Sequence, residues 1–281
     1  MQNTIKIATI RGAGLSFPIA CLLFFFLGQP YAFALLPAGA LLGFGVGVFL
    51  ARNPNIGRKF QTVMRHPRTK TARPNWFAKY LFHANLLIRL ISLLIFGAGM
   101  FLVAWVIGYY LLPEGIFRGG AETQMVQKAL TTPSTSILEE WTRLFKANLL
   151  PVLLILVGSL LMRVNQLSLG YLTALFNIAG YGLFIGTNSF AIRMPFRLAP
   201  SLAILERSGP YEMLALIVLA AASFGWSHFE IKHLFRTNPE RVTPAPKIKM
   251  VEITAFLLGI GILAAANWRE AAMVMSAVLP H

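Results

Sequence analysis

Long apolar runs with almost no charge inside them constrain this chain more than any other feature. Between Phe145 and Ser227 three such runs follow one another, each long enough or nearly so to cross a bilayer. Polar residues sit at their ends: Asn148, Arg163, Asn165 and Glu212. Further runs cover 14–27, 31–51, 84–112 and 250–266. In lipid a segment must satisfy its own backbone polar groups, and an apolar run of this length does so as a helix. Composition agrees. The 281 residues are 56% hydrophobic, with a mean hydropathy of +0.65. Charged residues make up 12%, where a soluble domain carries about 25%. The expectation is an all-α, polytopic membrane bundle of about seven transmembrane helices, with amphipathic interfacial or re-entrant helices beside them.

The net charge is +15, and all ten acidic residues are glutamate. In a membrane protein such an excess of Lys and Arg reads as positive-inside bias and contact with anionic lipid headgroups. A basic segment fills 52–83, with Arg58, Lys59, Arg65, Arg68, Lys70 and Arg73 and no acid. Stacking platforms for nucleic acid interleave aromatics with the charges. Here Trp76, Phe77, Tyr80 and Phe82 gather at one end, as an interfacial belt would, so no nucleic acid is expected. Cys21 is the single cysteine and forms no internal disulfide.

In chain order, 1–83 is read as an N-terminal hairpin followed by the basic cytoplasmic segment. Ala32-Phe33-Ala34 has the spacing of a signal-peptidase site, but apolar character resumes at once and runs to Leu50. Gly39, Gly43 and Gly47 recur every fourth residue and mark a close-packing seam. The core bundle, 84–227, begins with a third helix from Ala84 to Leu112. Arg89 is placed to snorkel from it to the interface, and Trp105, Tyr109 and Tyr110 mark its far end. The balanced loop 113–146 ends in an amphipathic surface helix. Ser136 caps it, Glu139 bonds back, and Ile137, Leu138, Trp141, Leu144 and Phe145 share one face. The fourth helix is Asn148–Met162, followed by a tight turn at Arg163-Val164-Asn165-Gln166. The fifth spans 167–192 with Asn177, Asn188 and a small-residue patch that includes Gly182 and Gly186. Residues 193–209 are expected as a re-entrant or surface helix, and Gly209-Pro210 opens the sixth helix, ending near Trp226. A third region, 228–281, holds a basic loop, a short seventh helix at 250–266 and an amphipathic tail at 268–279. The charge asymmetry puts the N-terminus in the cytoplasm.

Residues 135–235 resemble the stage II sporulation protein M family of bacterial integral membrane proteins. Three features carry the likeness. One is an amphipathic lead-in ending in Asn148. The second is a Gly- and Asn-bearing hairpin from Val164 to Gly186. The third is Arg207-Ser208-Gly209-Pro210-Tyr211-Glu212, where Gly209 and Glu212 match a Pro-His-Gly-x-x-Glu pattern and Arg207 and Ser208 replace its Pro and His. The resemblance implies a bacterial inner-membrane scaffold subunit of an envelope complex.

Glu212 admits two readings. An ionised carboxylate in the bilayer core costs roughly 2.5–3.5 kcal/mol on insertion scales, which points to proton or cation handling or to an ion pair with Arg193, Arg197 or Arg207. Alternatively, with Gly209 as cap and Pro210 next, Glu212 serves the free N–H groups of the first turn. Asn148, Asn165, Asn177 and Asn188 either line a polar path or bond helices together. Catalytic motifs and metal-ligand spacing are missing from the sequence, so no enzyme, metal or cofactor is expected. The leading function is a non-enzymatic scaffold or assembly subunit that contacts anionic lipid and other protein subunits, or further copies of itself. The alternatives are a transporter or channel subunit with a path near Asn177, Asn188 and Glu212, and lipid handling at the anionic leaflet.

Overall fold

The computed structural model describes residues 76–118, 134–164, 166–190, 196–231 and 240–278, together with Val48. The expected N-terminal hairpin, its Gly39, Gly43 and Gly47, the basic Arg58, Lys59, Arg65, Arg68, Lys70 and Arg73, Asn165 and Arg193 lie outside the described residues.

Six helices are described: α1 (Trp76–Leu81), α2 (Leu86–Tyr110), α3 (Ile137–Leu161), α4 (Leu169–Gly186), α5 (Gly209–Ser223) and α6 (Met250–Val278). Among the described residues, five helical segments are long and apolar enough to cross a membrane: α2, α3, α4, α5 with the 3-10 turn that follows it, and α6. They correspond to the last five of the seven expected spans; the first two expected spans fall at 14–51.

Helix boundaries follow from local chemistry. Asn85 Oδ1 accepts the Leu87 N–H at 2.9 Å and starts α2. At α3, Ser136 Oγ accepts the Glu139 N–H at 3.2 Å, as expected of a cap. Glu139 bonds back to Thr135 N–H (2.8 Å), one residue earlier than a reciprocal capping box requires. Ser168 Oγ accepts the Tyr171 N–H at 3.1 Å and sets the start of α4. Ser168→Ala is therefore expected to lower stability by about 1 kcal/mol, read as a shift in the chemical-denaturation midpoint of the detergent-solubilised chain. Thr187 Oγ1 bonds back to Leu183 O at 2.7 Å and Asn188 takes a φ of 50°. That left-handed turn stops α4 at Gly186, short of the expected Ile192.

Two expected breaks do not occur. The predicted surface helix and the fourth span are one continuous helix, α3, with Pro151 inside it. Trp141 explains the continuity. Its indole donates to Ala264 O of α6 at 2.9 Å, and its ring stacks on Phe145, so the amphipathic turn has a protein neighbour. Likewise the predicted span at 250–266 and the tail at 268–279 are one helix of 29 residues. Its buried stripe of Glu252, Phe256, Leu263, Ala266, Asn267, Ala271 and Met275 keeps helical spacing across the supposed junction.

Helix α5 lies at the centre and touches α2, α3, α4 and α6. All residues from Ala215 to Ser223 are buried. Its alanines let four neighbours approach together. The closest seam runs between α2 and α4. A Cβ on Gly182 would meet Phe101 O, and one on Gly186 would meet Trp105 O, each at 2.5 Å. These two glycines thus pack as the sequence led us to expect. Trp105 does not mark an interface; it is buried, and its indole donates to Leu198 O at 2.8 Å. Phe82 likewise leaves the expected belt and stacks on Phe224 inside the core.

The fold is mostly helical rather than all-α. Met162–Val164 (β1), Leu167–Ser168 (β2), Phe229–Ile231 (β3) and Glu240–Arg241 (β4) form a small sheet of order β2-β1-β3-β4. The expected tight turn is a hairpin in which Val164 pairs with Leu167 and Gln166 takes a φ of 70°, the positive φ that two-residue hairpin loops require. Between α4 and α5, the described part of the expected re-entrant or surface helix is a 3-10 turn, Leu202–Glu206, with Leu202 and Phe196 exposed.

Candidate functional site

Polar side chains from three helices meet at the α5 N-terminus. Gly209 is there for space: a Cβ at this position would overlap the Tyr181 hydroxyl of α4. Pro210 follows in the first turn, where its missing N–H leaves no helix bond unmade. Ser208, not Gly209, takes the N-cap position, which places Glu212 in the fourth helical position.

From there the Glu212 carboxylate faces other helices. Its Oε1 accepts from Asn148 Nδ2 of α3 at 3.1 Å. The same Nδ2 donates to Asn267 Oδ1 of α6 at 2.7 Å. Asn267 is fully buried, and its own Nδ2 has no hydrogen-bond partner. One turn on, Glu270 is a further carboxylate near Glu212 and Ser208. Glu140 of α3 is the next carboxylate: it is buried, accepts from Ser134 Oγ at 2.7 Å and forms an ion pair with Arg143. Three helices thus bring the Glu212 carboxylate and the Asn148 and Asn267 amides together, with Glu270 nearby. The arrangement can hold positive charge; nothing in it has the geometry of a nucleophile with its base.

Asn148 therefore acts from the interior of α3 rather than opening a helix. The ion-pair reading of Glu212 with Arg197 gives way to a different role for that arginine. Its Nε donates to Gly186 O at 3.0 Å, and its Nη2 to Gly108 O and to Leu112 O. It thereby satisfies carbonyls at the C-terminal ends of α2 and α4 and offsets both helix dipoles.

The remaining sequence candidates go elsewhere. Asn177 Nδ2 donates to Thr173 O in its own helix, at 2.8 Å. Buried Asn188 donates to Glu114 Oε1 at 2.9 Å, and its carbonyl accepts from Arg118 at 2.8 Å. Arg163 pairs with Glu230 across β1 and β3 at 2.9 Å. Arg89 does not snorkel. It is buried, donates to Ala221 O at 2.9 Å, His83 O at 3.2 Å and Glu252 Oε1 at 3.3 Å, and covers the Phe224 ring. Glu252 in turn accepts from the Trp226 indole and from Lys249 N–H, both at 3.3 Å.

Asn267, Glu270, Tyr181 and Glu252 were not singled out in the sequence, and Arg197 was read only as a partner for Glu212. A signal existed for the first two. They lie three residues apart in one helix, so one face carries both. Comparison of the chain with protein-family models, curated proteins and solved structures gives no match.

Proposed function

We propose that this protein is a non-enzymatic membrane scaffold, an assembly subunit of a bacterial envelope complex seated in the cytoplasmic membrane. The observation that carries the reading is where the intramembrane polar side chains point. Asn148 bonds α3 to α5 and α6, and Arg89 bonds α2 to α5 and α6. The Ser159 and Ser223 hydroxyls meet at 2.8 Å between α3 and α5. Polar groups of this kind fix helices relative to one another, and the α5 core includes the buried small residues Ala215, Ala220, Ala221 and Ala222. Meanwhile Leu87, Ile91, Ile95, Leu102 and Val103 of α2, and Leu257 and Leu258 of α6, are exposed, facing lipid or protein partners. Lys249 stands at the same end as the α2 start, since Glu252 accepts its N–H and pairs with Arg89, which supports a cytoplasmic position for that end. The resemblance to the stage II sporulation protein M family favours the same role, since its Gly209 and Glu212 both sit at an interhelical junction. The transporter reading has less support: Asn177 bonds Thr173 in its own helix, Asn188 bonds Glu114 and Glu212 bonds Asn148, three separate places rather than one path.

The test is site-specific photocrosslinking from Ile95 and Leu257 in native membranes. Discrete protein adducts of fixed mass are expected. Adducts to lipid alone, together with ion flux in proteoliposomes of the purified chain, would favour the transporter reading instead.

A further inference from the structure

We propose that residues 196–206 insert into the bilayer leaflet at the C-terminal ends of α2 and α4, with Phe196, Leu202 and Leu205 seated among lipid acyl chains. The inference does not rest on the scaffold reading; it needs only that α2 and α4 cross the membrane.

The depth of the segment is set by what holds it. Arg197 donates to Gly108 O and Gly186 O, in the last turns of α2 and α4. The Trp105 indole donates to Leu198 O at 2.8 Å. Trp105 lies five residues before the α2 end, about 7.5 Å along the axis at 1.5 Å per residue. Ile204 is buried in one cluster with Trp105 and Ile185. At Leu198 and at Ile204 the segment therefore lies beside the last turns of two spans, not beyond them.

Its side chains divide by direction. Arg197 and Leu198 are held against the bundle and Ile204 is buried in it, while Phe196 is 71% exposed, Leu202 82% and Leu205 51%. At this depth the outward neighbour of a bundle is lipid, and three large apolar side chains suit it. The adjoining end of α2 has the same chemistry: Tyr110 and Leu111 are exposed, and Arg197 Nη2 bonds the next carbonyl, Leu112 O, at 3.0 Å.

The backbone gives an independent argument. Irregular chain is tolerated at membrane depth only where its polar groups have partners in the protein. Besides Leu198 O, which has Trp105 of α2, Leu205 O accepts from the Tyr211 hydroxyl of α5 at 3.3 Å and Glu206 O from Arg269 of α6 at 2.8 Å. Ile204 O accepts the Arg207 N–H at 3.0 Å. Water serves the carbonyls of an ordinary surface loop; here side chains from three helices do so.

Spin labelling of the full chain in vesicles of phosphatidylethanolamine and phosphatidylglycerol tests the proposal. Cys21→Ser removes the single cysteine, and Phe196→Cys, Leu202→Cys, Leu102→Cys and Ala245→Cys then each carry one label. Labels at 196 and 202 are expected to relax more with oxygen than with a water-soluble nickel chelate, at a depth of about 5–10 Å, between the deep label at 102 and the aqueous one at 245. Nickel access equal to that at 245 would overturn the proposal. So would shielding from both reagents, which would mean a protein partner or a second copy covers the segment. The unsubstituted chain gives a second measurement. A phosphatidylcholine with a diazirine on its acyl chain is expected to label the tryptic peptide 198–207, and labelling of α2 without that peptide would also overturn it.

Discussion

Glu252→Ala is expected to destabilise the bundle by about 3–5 kcal/mol, the range for removing one partner of a buried ion pair. The size follows from what is left behind. Arg89 is 3% exposed, and without Glu252 its guanidinium keeps only carbonyl acceptors and the face of Phe224. The Trp226 indole and the first turn of α6 lose an acceptor as well. The check is a double-mutant cycle followed by denaturation in detergent. Replacing both charges with apolar residues, Arg89→Met with Glu252→Leu, should recover most of the loss, since no lone charge then remains buried. Single and double variants of equal stability would show that the pair does not anchor this end of the bundle.

Gly186→Val should cost about 3 kcal/mol, in the upper part of the overpacking range. The added atoms meet Trp105 O, Tyr109 N and Gly108 C, which are backbone atoms of α2 and cannot rotate away. Helices α2 and α4 would have to part along their whole seam. Gly99→Ala is the control: nothing lies within 4 Å of its added methyl, and substitutions clear of such contacts stay within about 0.5 kcal/mol. Thermal unfolding of both purified variants separates the outcomes. A Gly186→Val protein as stable as Gly99→Ala would mean that the seam is not close-packed.

The spans were legible in the sequence because hydropathy is local: every residue of a run such as Leu86–Tyr110 reports its own solvent. The Gly182 and Gly186 seam was legible for a similar reason, since a four-residue glycine spacing is a property of one helix. Pairings were not. Asn148 meets residues 64 and 119 positions away, and Arg89 reaches across 163; no periodicity encodes such distances. Polarity near a run's end was twice mistaken for the end itself. Asn148 and Asn267 looked like boundaries because an amide in lipid is expensive, but each had a partner inside the bundle and the helix ran on. The same ambiguity moved Trp105 and Phe82 to an interface when they belong to the core. Strands of two or three residues carry too few side chains for an alternation to register, so the sheet at 162–168 and 229–241 passed as turn and loop.

The central position of α5 also sets an order of events during synthesis. Helices α2, α3 and α4 leave the ribosome before the helix they enclose has been made. The first lasting contact open to them is the glycine seam between α2 and α4, which needs nothing further downstream. Arg89 and Asn148 must wait: apart from His83 O, their hydrogen-bond partners lie on α5 and α6. A nascent chain stopped after Gly186 thus holds an arginine short of most of its partners and an unmatched amide in the bilayer, the kind of exposed polarity that membrane quality control can recognise until the last two helices arrive.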